Sequence, residues 1–464
     1  MYKSRLEHDS LGPVELPEDA LYGAQTQRAI NNFPISGEPM PASFIRSLLL
    51  LKWAAAKANA QLGLIPVNMA QSIGMAAERL LNDTDMMKHF PVDIFQTGSG
   101  TSTNMNANEV LANLAMKIYG RPISPNDHIN FGQSSNDIIP SVIHISSACG
   151  ITENLTPALE HLSSSIRQKA VKLTGVVKTG RTHLMDAMPI TLSQSIGAWA
   201  SLIEQHSRQL RQTLAELQKL ALGGTAVGTG INTDPDFARL TCEQISRFTN
   251  IPFQPAEDPC SSMSGQSTAV ILSGQLKATA TSLIKISNDL RWMNSGPLTG
   301  LAEIQLEALQ PGSSIMPGKV NPVIPEAVAM AASQTIGHDS AITIAAQSGN
   351  FELNVMLPLI ANNLLQSIHL LSTSSRLLAD QAITSFSINQ DRLQKALDHN
   401  PILVTALAPQ IGYEKAAMIA KQAYREGRPV IEIAEQQTDL SRAQLKQLLD
   451  PRLLTLGGLI DQQK

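Results

Sequence analysis

Three long stretches of the chain repeat apolar residues every three or four positions, which is the spacing of one face of an α-helix. The first runs from Leu192 to Ala221 and predicts a helix of about 30 residues that stops at Gly223-Gly224. The second runs from Leu272 to Leu290 and ends near Gly296-Pro297, and the third runs from Leu357 to Leu378. Because a long amphipathic helix buries little surface alone, we expect these helices to pack together as a bundle.

The chain on either side of these helices has a different pattern. The early part shows shorter helical pieces separated by prolines, and the part from Asn389 onward contains short amphipathic segments, such as Glu414 to Tyr424 and Ser441 to Leu449. We therefore predict three domains: a mixed helical N-terminal domain (1–137), a central long-helix bundle (138–388) and a small helical C-terminal domain (389–464).

The composition supports a helical globular protein. Of the 464 residues, 43% are hydrophobic and 16% are charged, which is typical of a packed chain rather than a disordered one. Aromatic residues make up only 4%, and this scarcity favours helices over strands. The net charge is −4 without a basic block, which argues against nucleic acid as a partner.

Cysteine usage and the apolar runs predict a cytoplasmic location. The three cysteines, Cys149, Cys242 and Cys260, are far apart and form no CxxC pair, as expected for free thiols in a reducing compartment. The N-terminal residues lack the apolar region of a signal peptide. No apolar run approaches the ~18 residues that a membrane helix needs, so we expect no membrane partner.

One segment, from Gly312 to Pro322, has an unusual composition. It reads GSSIMPGKVNP, and its two glycines and two prolines exclude a continuous helix. Two hydroxyl groups, the ammonium of Lys319 and the carboxamide of Asn321 lie between them. A loop with several donors and one cation suits a small anion that has several oxygens.

Three more segments have a similar polar character. Thr97 to Asn104 and Gln133 to Asp137 each precede a predicted helix, where small hydroxyl residues either cap the helix or help its amides to bind an anion. Gly180 to Asp186 contains His183, which is either a surface histidine or a group that shuttles protons. The glycine-rich segment Gly223 to Gly230 lacks both GxGxxG and GK[ST], so it predicts a helix-terminating turn rather than a cofactor loop.

Taken together and in order, these segments resemble those of the class II fumarases of the fumarase/aspartase superfamily. The resemblance implies an all-α fold whose central helices form the core of a homotetramer, with each active site built from three subunits. It also implies the reversible addition of water to fumarate to give L-malate, a step of the tricarboxylic acid cycle. Neither a metal nor an organic cofactor is implied.

The resemblance also assigns roles to individual residues. Ser313 matches the catalytic base on a mobile loop, and His183 matches a second acid/base group that Glu326 orients. The positions that match substrate-binding residues are Ser99, Gly100, Thr101, Ser134, Ser135, Asn136, Thr182, Ser314, Lys319 and Asn321. A secondary carboxylate site is matched by Arg121, Ser124, Pro125, Asn126 and Asp127. Here the chain departs from the family, because Ser124 stands where many relatives have histidine.

The chemistry of this reaction fits these residue types. The substrate is a dianion, and removal of the proton next to a malate carboxylate creates an aci-carboxylate with extra negative charge. Preorganised amides, Lys319 and Asn321 are suited to stabilise that charge. A serine is a poor base, so Ser313 needs surrounding donors and a cation to stabilise its alkoxide.

Two other functions are compatible with parts of the sequence. An aspartate ammonia-lyase has the same fold, and Val323 to Glu326 looks aspartase-like. Aspartases, however, typically have glutamine at the position of His183 and alanine at the position of Gly318. A non-catalytic structural homologue is the second alternative, and the intact set of Ser313, His183, Lys319 and Glu326 argues against it.

Overall fold

A computed structural model describes residues Ser4–Gly458, and most of them are helical. The eighteen α-helices of this part of the chain, α1 to α18 in order, are Ala24–Asn32, Ala42–Gln61, Val67–Leu81, Thr101–Tyr119, Ser135–Gly150, Thr156–Lys172, Leu192–Leu217, Phe237–Thr249, Pro259–Ser264, Ser267–Met293, Val323–Ala346, Leu357–Leu378, Gln390–Asp398, Ala408–Ile411, Tyr413–Glu426, Val430–Gln437, Arg442–Leu448 and Pro451–Leu454.

The strands are short and form only two-stranded pairs within the same described part of the chain. Strands β1 to β10 are Ser4–Asp9, Gly12–Pro17, Val177–Thr182, Met185–Thr191, Lys219–Leu220, Gln254–Pro255, Ile304–Gln305, Gly349–Asn350, Leu353–Asn354 and Ser387–Ile388. Four pairs are antiparallel (β1–β2, β3–β4, β8–β9 and β7–β10), and β5–β6 is parallel. Since no pair extends into a larger sheet, the all-α prediction is confirmed.

The three predicted long helices are confirmed as α7, α10 and α12, with one correction to a boundary. Helix α7 ends at Leu217, because Lys219–Leu220 then pairs with Gln254–Pro255 as a parallel strand. The glycine pair at 223–224 therefore lies beyond a strand and does not stop the helix. The N-terminal prolines lie outside α-helices as predicted, and Pro41 and Pro66 occupy the N-cap positions of α2 and α3.

The described residues form two compact units, and each contains part of the predicted site. The first unit comprises residues 4–158, 206–281 and 331–373. In it, α2 packs against α3, α5 and α8, and its side chains Phe44, Leu48 and Leu51 are fully buried. Close packing of this kind fixes the ends of helices within the unit, including the start of α5.

The second unit comprises residues 159–205, 282–330 and 374–458. In it, the β3–β4 hairpin contacts α13 through β3 and α18 through β4. The C-terminal residues 403–449 share a hydrophobic core that includes Leu407, Ile419, Ile433 and Leu445. The division at 137/138 and 388/389 into three domains stays a prediction. Between residues 4 and 458, none of the helices has the length and apolar character needed to cross a membrane.

Candidate active site

The first predicted segment leads into α4 through a glycine in a left-handed conformation. Gly100 is the N-cap residue of α4 and has a left-handed φ of 73°. A Cβ atom added to Gly100 would lie 2.9 Å from the Cγ1 atom of Ile139, so even alanine would be strained. On either side of this glycine, the Ser99 and Thr101 hydroxyl oxygens lie 2.8 Å apart. The turn therefore places two hydroxyl groups together at the helix start.

The amides in the first turn of α4 are largely occupied. The amide of Ser102 donates to Thr97 Oγ1 at 3.3 Å, and the amide of Thr103 donates to Gln96 Oε1 at 2.9 Å. The capping function predicted for this segment thus comes from Thr97 and Gln96, while Gly100 itself offers no side chain. An anion at this end of the helix would have to rely on the hydroxyl groups rather than on these amides.

The second segment forms a capping box at the start of α5. The Ser134 hydroxyl accepts from the amide of Asn136 at 3.2 Å, and the amide of Ser134 donates to Asp137 Oδ1 at 2.9 Å. Asp137 is fully buried, and its Oδ2 atom accepts from the amides of Gly223 and Thr225, each at 3.1 Å. Burial raises the pKa of Asp137 to about 6, while the donating amides act to lower it.

These contacts join three segments within the first unit. Asn104 Nδ2 donates to Ser135 Oγ at 3.0 Å, which ties the start of α4 to the start of α5. Asn136 Nδ2 donates to the carbonyl of Ala226 at 2.9 Å, in the glycine-rich segment. That segment was predicted to be a helix-terminating turn. In the structure it follows β5 instead, and it contacts Asn136 and Asp137.

The third segment forms the turn of a β-hairpin. His183 and Leu184 form the two-residue turn between β3 and β4, with φ values of 56° and 61°. Positive φ at both central positions defines a type I′ turn, and it is unusual for a leucine. His183 is exposed at the tip, and strained backbone of this kind is often found at functional sites.

Buried charges anchor this hairpin inside the second unit. Glu303 is 4% exposed, and its two oxygens accept from Lys178 Nζ and Arg181 Nη1, each at 2.6 Å. Burial lowers the pKa of Lys178, although Glu303 opposes this effect. Sequence reasoning missed Glu303, because its partners lie more than a hundred positions away and no local pattern marks it.

The loop at 312–322 lies outside helices and strands, as predicted. The Ser313 hydroxyl oxygen accepts from the amides of Ile315 at 3.2 Å and Met316 at 3.0 Å. Two amide donors on one hydroxyl oxygen favour its deprotonated form. The amide of Gly312 donates to the carbonyl of Lys319 at 2.9 Å, which closes the loop.

The cation of this loop contacts the neighbouring carboxamide. Lys319 Nζ donates to Asn321 Oδ1 at 2.9 Å, and Asn321 Nδ2 donates to the carbonyl of Gly312 at 2.5 Å. The donors to Ser313 within the loop are thus the amides of Ile315 and Met316, while the ammonium of Lys319 contacts Asn321. Lys319 remains exposed and can meet an anion.

The second unit contains two cavities lined by predicted site residues. A cavity of about 860 Å³ is lined by Lys319, Asn321 and Glu326, among others. Another, of about 1150 Å³, is lined by Thr182 and His183. Glu326 lines the first of these cavities but not the second, and His183 lines the second but not the first. The side chains of these two residues therefore belong to different cavities of a single chain.

The predicted secondary site surrounds a short π-helical turn, Pro125–Ile129. The Ser124 hydroxyl accepts from the amide of Asp127 at 3.0 Å and lies 2.8 Å from Asp127 Oδ2. His128 Nδ1 accepts from the amide of Ser124 at 2.8 Å. His128 directly follows the matched positions in the sequence. Arg121 is exposed at the edge of this turn.

Comparison with known families defines the class of protein first. A model of a family described as "Lyase" matches residues 12–337, more than half of the chain. A second model, described as "Fumarase C C-terminus", matches residues 403–456. The chain is therefore a lyase whose C-terminal residues are also of the fumarase type.

Individual relatives identify the family more specifically than the family models do. "Fumarate hydratase class II 2" from Pseudomonas aeruginosa is 60% identical over 459 residues, covering 99% of this chain and 100% of that protein. "Fumarate hydratase class II" from Xylella fastidiosa is 58% identical, covering 98% and 96%. The crystal structure of class II fumarase from Schistosoma mansoni has a TM-score of 0.94 at 36% identity, covering 98% and 99%. The chain belongs to the class II fumarase family.

Proposed function

We propose that this chain catalyses the reversible, stereospecific hydration of fumarate to L-malate by acid–base chemistry. The observation that carries this proposal is the similarity to class II fumarate hydratases along nearly the whole chain. The loop that holds Ser313 between two amide donors is consistent with it. Addition and removal of water need a base, an acid and a way to bind a dianion.

Ser313 is the proposed base that removes the proton next to a malate carboxylate. The Ser313 alkoxide would accept hydrogen bonds from the amides of Ile315 and Met316, which already donate to the hydroxyl oxygen. The extra charge of the aci-carboxylate then needs donors that are in place before the reaction starts. Lys319 and Asn321 are suited to this, because the hydrogen bond between them fixes an ammonium beside an amide.

The proposed substrate contacts are mostly neutral donors. They are Ser99, Gly100, Thr101, Ser134, Ser135, Asn136, Thr182, Ser314, Lys319 and Asn321. The contacts among Ser99, Thr101, Asn104 and Ser135 support part of this set, since they hold two of the segments together. Neutral donors bind a dianion and its transition state without the strong ground-state attraction of a basic patch.

His183 is the proposed second acid/base group, and Glu326 is proposed to orient it. Because these residues line different cavities of one chain, we propose that Glu326 of one subunit meets His183 of another. A homotetramer with active sites shared by three subunits would supply this contact. Large apolar side chains that are exposed on the long helices, such as Ile271 (55%) and Met330 (69%), support association.

The secondary carboxylate site at Arg121 and Ser124–Asp127 is also a proposal. The Ser124 hydroxyl already contacts Asp127, which leaves Arg121 as the exposed cation of the site. We propose a cytoplasmic location as well, and the free thiols of Cys149, Cys242 and Cys260 support it.

The proposed reaction is tested by absorbance in the ultraviolet band of fumarate. Purified protein is expected to form fumarate from L-malate and to consume fumarate in the reverse direction, with no added metal or cofactor. L-Aspartate serves as the control substrate and should give no fumarate. Turnover of aspartate but not of malate would refute the hydratase proposal in favour of an ammonia-lyase. Turnover of neither would refute both.

A further inference from the structure

Lys52 is a fully buried lysine that lies outside the polar segments and has no assigned role in the proposed reaction. It lies in α2 and has no exposed surface. Its ammonium donates to Asn130 Oδ1 and to Gln133 Oε1, both at 2.9 Å. These acceptors are neutral amide oxygens rather than carboxylates, so the hydrogen bonds satisfy the ammonium without neutralising it.

Such a group is costly to bury. An ammonium loses its hydration in the protein interior, and neutral acceptors replace only part of it. Burial accordingly lowers the pKa of Lys52 to about 7, and the carboxylate of Asp137 opposes this effect. A neutral side chain would fill the same space at a lower cost, so stability does not explain a lysine here. A buried ionisable group that stability does not explain is a candidate for a functional role.

The hydrogen-bond partners of Lys52 lie directly beside the segments that are proposed to bind substrate. Gln133 immediately precedes Ser134, and Asn130 Nδ2 donates to the carbonyl of Gln133 at 3.1 Å. On the other side, Asn130 Oδ1 also accepts from Asn104 Nδ2 at 3.2 Å. The same amide group of Asn104 donates to Ser135 Oγ. The ammonium of Lys52 thus contacts both ends of the turn from Asn130 to Gln133, and this turn leads into the capping box that begins at Ser134.

We propose that Lys52 is a positioning residue whose buried positive charge raises the affinity of the Ser134–Asn136 segment for a four-carbon dicarboxylate. Two effects combine in this proposal. The hydrogen bonds to Gln133 and Asn130 fix the segment, and the charge attracts a dianion through a medium of low dielectric constant. The proposal rests on the proposed function, because it concerns the same dicarboxylate site.

Two substitutions separate the charge from the hydrogen bonds. Lys52→Gln keeps an amide donor but removes the charge, whereas Lys52→Met removes both and keeps a similar length. Lys57→Met is the matched control, since Lys57 lies on the same helix but is exposed over the rings of Trp53 and Phe248. Each variant is assayed at pH 6, below the pKa of Lys52, where its ammonium is protonated. The quantities measured are kcat, KM with L-malate, and the inhibition constant of succinate, a non-reactive dicarboxylate.

We expect the succinate inhibition constant and KM to rise roughly tenfold in both Lys52 variants, with a much smaller change in kcat. Tenfold is the size that Coulomb's law gives for the ammonium and the nearer carboxylate of the ligand, about 10 Å apart at an effective dielectric constant of about 20, with the other carboxylate farther away. The Lys57 variant should behave like the parent protein.

Two outcomes would overturn the proposal. Parental succinate affinity in Lys52→Gln would show that the charge plays no part. Failure of both Lys52 variants to fold would assign Lys52 to the core instead. A parent protein that binds succinate but does not turn over malate would refute the proposed function and leave this inference standing.

Discussion

The buried ammonium of Lys52 predicts an unusual dependence of stability on pH. Lysine has a reference pKa of 10.5, and burial in the folded protein lowers the pKa of Lys52 to about 7. Between these values the unfolded chain binds a proton that the folded chain does not. The free energy of unfolding must therefore rise with pH across this window, because stability increases wherever the unfolded state binds more protons.

The size of the effect follows from the same two values. Each unit of pKa difference corresponds to about 1.4 kcal/mol. Below pH 7 the folded protein carries the full cost of the charge, about 5 kcal/mol at most. Between pH 7.5 and 9.5 about half of that cost is relieved, roughly 2.5 kcal/mol. Lys52→Met has no such group, so its stability should lack this rise.

Urea unfolding at fixed protein concentration measures this difference. The parent protein, Lys52→Met and Lys57→Met are compared at pH 7.5 and 9.5, so that titrating groups that do not interact with Lys52 cancel in the differences. The parent should gain about 2.5 kcal/mol relative to Lys52→Met over this range. Lys57→Met should show no such change relative to the parent, since its ammonium is exposed when folded as well as when unfolded. Parallel curves for the parent and Lys52→Met would refute the assignment of a strongly depressed pKa.

Four further predictions concern the site itself. Ser313→Ala should nearly abolish malate turnover and leave the unfolding midpoint almost unchanged, because the loop lies outside the core. His183→Asn should lower kcat by ~10²–10⁴ in kinetic assays and weaken succinate binding much less. Glu303→Gln should lower the free energy of urea unfolding by about 3 kcal/mol, because it leaves a buried cation unpaired, and should also lower kcat by loosening the His183 hairpin. Gly100→Ala should lower the thermal midpoint, because its φ is positive and the new Cβ meets Ile139.

Matched substitutions make these results interpretable. Glu307→Gln removes an exposed carboxylate close to Glu303 and should change neither stability nor kcat. Gly37→Ala has a similar φ of 75° but nothing within 4 Å of the added Cβ, so it isolates the backbone strain from the clash. Equal losses in Gly100→Ala and Gly37→Ala would show that Ile139 does not limit this position.

A Ser313→Ala variant with most of its activity would mean that another group takes the proton. Near-normal turnover in His183→Asn would show that His183 is a surface histidine without an acid/base role.

Much of the helical framework could be predicted from local patterns. The apolar repeat from Leu357 to Leu378 coincides with α12, and the repeat from Leu272 to Leu290 lies within α10. Helical periodicity is a property of neighbouring residues, so it is visible without a tertiary structure. The end of α7 was misplaced because Lys219–Leu220 leaves the helix to pair with a strand more than thirty residues away.

The sequence by itself also located the polar segments and their order, since glycine, proline and small hydroxyl residues punctuate a chain locally. Only the tertiary structure decided how those segments are supported. Asp137 meets the amide of Gly223 across 86 positions, Lys178 meets Glu303 across 125, and Lys52 meets Gln133 across 81. No local pattern specifies such partners, because a buried charge is satisfied by whatever the packing of distant segments brings to it.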